Sequence, residues 1–151
     1  MKTASKSDLL TDLVLEVFRL NGRLIAAGDG LVAPIGLTSA RWQVLGAIVL
    51  LDEPAPVVRI ADAMGLARQS VQRLVDEMER AGILAFRPNP HHKRAKLVVL
   101  TEEGRALYGA AAKLQKPWAA ALAAGIDSAA LQSATAALAQ LRARLEQSPG
   151  D

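Results

Sequence analysis

Residues 57–101 constrain the fold more than the rest of the chain together, because the spacing of apolar residues changes there from helical to strand-like within one short stretch. Val57, Ile60, Ala61 and Met64 recur every three or four residues and share one helical face, and Gly65 then supplies a turn. From Arg68 to Arg80 the residues Val71, Leu74, Val75 and Met78 form a second inward stripe. An apolar run at 83–86, a polar tip at 87–95 and another apolar run at 97–100 follow. Residues 84–87 and 96–100 are expected to pair as strands. Pro88 and Pro90 cannot donate to a ladder, so the tip between the strands is not an ordinary tight hairpin. The predicted order is helix, tight turn, helix, hairpin.

The second of these helices points an unusual set of side chains outward. Arg68, Gln69, Gln72, Arg73 and Asp76 lie opposite the apolar stripe, with Ser70 in the first turn. Arginine can fork onto a guanine edge, glutamine can pair with adenine, and serine can reach a base or a phosphate. They cluster in the first two turns, the end that enters a major groove in helix-turn-helix proteins. A polar face alone is common to surface helices. The turned helix before it and the hairpin after it make the layout that of a winged helix-turn-helix. Lys93 and Arg94 on the hairpin tip are placed to straddle phosphates or to put an arginine into a minor groove. The residues expected to contact double-stranded DNA are Thr38, Ser39, Arg59, Arg68, Gln69, Ser70, Gln72, Arg73, Lys93 and Arg94.

Charge supports this. Residues 57–100 hold eight basic and four acidic side chains, a local +4, whereas the whole chain carries only +3. The excess sits where phosphate would be bound. Cysteine is absent, which excludes disulfides, thiolate catalysis and cysteine-based zinc sites. The two histidines are adjacent on the hairpin tip with no further metal ligands nearby. No phosphate loop, carboxylate cluster or activated-serine pattern is present, so neither an enzyme nor a bound cofactor is expected. No run reaches the roughly 18–20 apolar residues a membrane helix needs. A cytoplasmic location is expected, with residues 1–8 as a short arm.

The flanks read as helices. Residues 8–27 carry Leu10, Leu13, Val14, Val17, Leu20, Leu24 and Ile25 at helical spacing, with Ser7 or Asp8 as cap and Gly28 and Gly30 as breakers. Thr38 caps a helix over 38–51 whose buried stripe is Trp42, Leu45, Ile48 and Val49, widened by Val44 and Leu51. Thr101 caps another, which Pro117 should kink or end. Asp127 caps the last, where Leu131, Leu138 and Leu145 recur every seven residues and suit packing against a second copy. The expected fold is mainly α with a small β-hairpin wing. Its expected parts are an N-terminal arm and dimerisation helix (1–36), a DNA-binding region (37–101) and C-terminal dimerisation helices (102–151), intertwined as one domain.

In this order and at these spacings the sequence resembles the MarR family of bacterial transcriptional regulators over nearly its whole length. The matching residues begin with Leu37-Thr38, Trp42-Gln43-Val44-Leu45, Ile60-Ala61 and Met64-Gly65-Leu66. They continue through Arg68-Gln69-Ser70-Val71, Arg73-Leu74-Val75, Met78-Glu79-Arg80-Ala81-Gly82 and Asn89-Pro90, and end in Lys93-Arg94-Ala95-Lys96 with Leu100-Thr101-Glu102-Glu103-Gly104. The resemblance implies a homodimer on a pseudo-palindromic operator, more often a repressor than an activator, with Arg94 entering the minor groove. It also implies release by a small effector, for which Phe18, Arg41, Trp42 and Tyr108 are candidate lining residues. Two departures stand out. His91 and His92 occupy the wing stretch where the family usually has an acid, and Ala67 stands where a Ser or Thr cap is common. The competing reading is a winged-helix interaction module without DNA binding. Arg68, Gln69, Arg73 and Arg94 argue against it.

Overall fold

The structure is a computed structural model that describes residues 3–148. Along those residues run α1 (Lys6–Val32), a 3-10 turn (Ala33–Ile35), α2 (Ser39–Leu51), α3 (Val57–Met64) and α4 (Arg68–Arg80). The antiparallel pair β1 (Leu84–Arg87) and β2 (Leu97–Leu100) follows, then α5 (Glu102–Ala123) and α6 (Ser128–Gln147). This is the mainly α, winged fold expected. The chain divides into two compact units, Met1–Gln115 and Lys116–Asp151, so α1 belongs with the winged elements and the division falls inside α5.

The first unit is built on the stripes read from the sequence, except that Val49 of the expected α2 stripe is 40% exposed and Val44 is buried in its stead. Val44, Leu45 and Ile48 of α2 meet Val57, Ile60 and Ala61 of α3 and Val71, Val75 and Met78 of α4 in one buried cluster. Leu84, Val98 and Leu100 of the hairpin close it. The strands pair Leu84 with Leu100 and Phe86 with Val98, which leaves residues 88–96 as the wing tip. A further rung has no alternating pattern to announce it: the Val98 N–H donates to the Ala55 carbonyl at 2.9 Å. It ties the base of the wing to the connector ahead of α3.

Three expectations are corrected. Gly28 and Gly30 do not break the first helix, which continues to Val32. Gly28 is instead buried where α2 approaches, and a Cβ there would overlap Ser39 Oγ. The Ser39 hydroxyl donates to the Ile25 carbonyl at 2.7 Å, and its N–H donates to Asp29 Oδ1 at 2.7 Å. A mid-helix glycine costs about 1 kcal/mol relative to alanine; the close helix approach and these two hydrogen bonds offset that. The cap of α1 is Ser5, not Ser7 or Asp8. Ser5 Oγ accepts the Asp8 N–H at 3.2 Å while Asp8 Oδ2 accepts the Ser5 N–H at 2.9 Å, a reciprocal capping box. Of the arm expected over residues 1–8, residues 1 and 2 lie outside the described residues, and helix begins at Lys6.

The third correction is that Pro117 does not end the helix: α5 passes through it and ends at Ala123. Proline removes one helical donor, but the alanines at 119–121 are the strongest helix formers and carry the helix on. In the second unit Asp127 caps α6, its Oδ1 accepting the Ala129 N–H at 3.4 Å. Leu131, Leu138 and Leu145 are all exposed on that helix. Among the described residues no single helix is long and apolar enough to cross a membrane.

Candidate nucleic-acid interface

Burial of one face decides what the other presents. Val71, Val75 and Met78 are fully buried and seat α4 on the core. Arg68, Gln69, Ser70 and Arg73 are left exposed, with Gln72 and Asp76 half-buried. Arg68, Gln69, Gln72, Arg73, Asp76 and Arg80 together line a shallow concavity along the helix. Ala67 starts α4 in an extended conformation with no side-chain cap, so its side chain leaves the first N–H groups at this positive helix end open.

The wing tip is organised by Asn89. Its Nδ2 donates to the Ala95 carbonyl at 2.9 Å and its Oδ1 accepts the His91 N–H at 3.0 Å. Its own carbonyl accepts the His92 N–H at 3.2 Å. An asparagine side chain here substitutes for a backbone turn, and its position between two prolines was the available signal. The clasp holds both ends of the tip and leaves His91, His92, Lys93 and Arg94 exposed. Lys96 Nζ lies 5.7 Å from the Phe86 ring centroid, which steadies a second cation on the wing. Arg68, Gln72 and Asp76 of α4 face Phe86, Arg94 and Lys96 of the wing across a groove of about 240 Å³.

Thr101 and Gly104 fix the wing to the next helix. The Thr101 hydroxyl approaches the Gly82 and Ile83 carbonyls at 2.6 and 2.9 Å and accepts the Gly104 N–H at 3.0 Å. Gly104 is buried against Ile83, and a Cβ on it would overlap the Ile83 carbonyl. Only glycine lets α5 start this close to β1. The sequence reading expected the threonine cap but not the glycine contact.

Several expected site residues have other settings. Ser39 is buried with its hydroxyl engaged by Ile25, so it is withdrawn from the DNA-contacting set. Thr38 is exposed, and its Oγ1 accepts the Arg41 N–H at 3.2 Å as the cap of α2. The Arg59 guanidinium is paired with Glu53. Gln72 Nε2 donates to Asp76 Oδ1 at 3.0 Å. The four residues expected to line an effector pocket do not share one setting. Phe18 is 70% exposed on α1, Trp42 and Tyr108 pack half-buried against the core, and Arg41 pairs with Glu77 of α4 at 3.7 Å.

Fold and surface together define a DNA-binding winged helix-turn-helix. Residues 35–95 match the model of the MarR family. The uncharacterized protein Rv2011c of Mycobacterium tuberculosis is 38% identical over 127 residues, 84% of this chain and 87% of that protein. Among solved structures, the M. tuberculosis transcriptional regulator MosR in complex with DNA aligns with a TM-score of 0.73 at 25% identity, over 87% of this chain and 96% of that one. CouR from Rhodococcus jostii RHA1, bound to p-coumaroyl-CoA, aligns with a TM-score of 0.76 at 26% identity, over 92% and 95%. The chain belongs to the MarR family of transcriptional regulators.

Proposed function

We propose that this regulator is a cytoplasmic repressor that binds a pseudo-palindromic operator as a homodimer. The observation that carries the reading is the convergence of Arg68 and Gln72 from α4 with Arg94 and Lys96 from the wing on one groove. That juxtaposition suits a duplex read in the major groove by α4 and held through phosphates or the minor groove by the wing. Arg68, Gln69, Ser70, Gln72 and Arg73 are the reading residues, with Lys93 and Arg94 on the backbone side. Thr38 and Arg59 are secondary contacts.

A homodimer accounts for the apolar surface of the single chain. α1 exposes Leu10, Val14, Val17 and Phe18, and α6 exposes Leu131, Leu138 and Leu145. A second copy would cover such surface and would match the two-fold symmetry of an operator. Release by a small ligand is part of the proposal, supported by the acyl-CoA ligand of CouR. Phe18, Trp42 and Tyr108 are the candidates to sense it, with Arg41 linking any change there to α4 through Glu77.

Selection of bound duplexes from a random pool near physiological salt tests the reading. The expected product is a pseudo-palindrome with half-sites about one helical turn apart. Recovery of no preferred sequence, with or without a panel of acyl-CoA thioesters, would overturn it.

A further inference from the structure

An acid has no obvious place on a surface that meets phosphate. Asp76 nevertheless lies in both concavities of the interface, alongside Arg68, Arg73 and Arg94, and it is half-buried. It sits past the middle of α4, so the positive end of the helix does not explain it. Among the described residues no ion pair holds it, despite the cations on either side. Among the described residues its one side-chain partner is Gln72, whose Nε2 donates to Asp76 Oδ1 at 3.0 Å.

We infer that Asp76 is a positioning residue that fixes the amide of Gln72 for reading one adenine in each half-site. The inference rests on α4 being the reading helix. A glutamine amide rotates freely about its last torsion and can present either its oxygen or its nitrogen. Asp76 accepts one hydrogen of Nε2 and so settles which way the amide faces. The second Nε2 hydrogen and Oε1 remain for the two complementary groups on the major-groove edge of adenine. A carboxylate repels every phosphate alike, so its contribution is discrimination between sequences rather than affinity.

The test compares the parent with Gln72→Ala, Asp76→Ala and Asp76→Asn on operator duplexes in which each half-site base pair is replaced in turn, at constant salt. The parent should prefer adenine at one position by about five- to a hundred-fold, the range of one bidentate contact. Gln72→Ala and Asp76→Ala should each reduce that preference to about three-fold or less at the same position, and a variant combining Gln72→Ala with Asp76→Ala should lose no more than either single one. Asp76→Asn keeps an oxygen for Gln72 and should retain the preference while binding all duplexes more tightly. If Asp76→Ala weakens or strengthens all duplexes alike, its role is general and the inference falls. If it removes a cytosine preference that Gln72→Ala keeps, Asp76 reads the base itself and the inference also falls. A parent that discriminates while Asp76→Ala matches it base for base overturns only the role of Asp76. A parent that binds all duplexes alike overturns the operator reading, and the inference with it.

Discussion

Single side chains at this interface divide into those that specify and those that hold. Arg73 is exposed in the second turn of the reading helix, and among the described residues no ion pair holds it, as a base contact requires. Arg73→Ala should cost on the order of 1–3 kcal/mol of operator binding and relax the preference at one base position. A variant that keeps the parent's full sequence ranking in binding titrations would exclude that role. Arg94, on the clasped tip, should behave differently. Its alanine variant is expected to weaken all duplexes and to lower the salt dependence by about one counterion. Ser39 gives the contrast. Loss of its hydroxyl removes the bond to the Ile25 carbonyl, so Ser39→Ala should lower stability by about 0.5–1.5 kcal/mol in denaturant melts. Operator affinity per folded molecule should stay unchanged, and a selective loss of DNA binding would return Ser39 to the interface.

Elements here are set by their ends and by the points where they touch. Gly104 lets the start of α5 lie against the Ile83 carbonyl, so Gly104→Ala must push the helix and the wing apart. Overpacking of this kind typically costs about 1–3 kcal/mol, read as a fall in melting temperature. DNA affinity should drop with it, because the wing moves. At the other end of the unit, the Ser5 hydroxyl, and then the Ser5 backbone N–H, hold the Asp8 carboxylate below its ordinary value. A carboxylate depressed in the folded state favours the fold at pH above the ordinary carboxylate range and loses that effect as pH falls through its folded value. The first turn of α1 should therefore fray on acidification, visible in the amide resonances of residues 5–9. Ser5→Ala should remove that pH dependence.

At the scale of the molecule, the exposed apolar faces of α1 and α6 and the expected palindrome make one claim, that two copies act together. Sedimentation should give twice the chain mass. Leu131→Glu with Leu138→Glu should shift the protein towards the monomer and weaken operator binding, because one reader alone engages one half-site. A parent sedimenting as a monomer at micromolar concentration would reject the dimer.

The sequence by itself determined the elements of the reader. Apolar spacings of three and four mark the faces of α3 and α4, and two short apolar runs on either side of one proline-bearing tip mark the hairpin, because each is a local pattern. Exposure of Arg68, Gln69 and Arg73 was legible for the same reason, being the complement of Val71, Val75 and Met78. What the sequence could not determine was anything resting on contact between distant residues. By pattern Gly28 is a helix breaker and Ser39 is open to DNA, whereas in the fold Ser39 packs on Gly28 and is buried there. The Ala55 rung, the Gly104 approach and the groove joining Arg68 to Arg94 likewise join residues far apart along the chain. Periodicity reports which way a side chain faces; only the tertiary structure decides what it meets there.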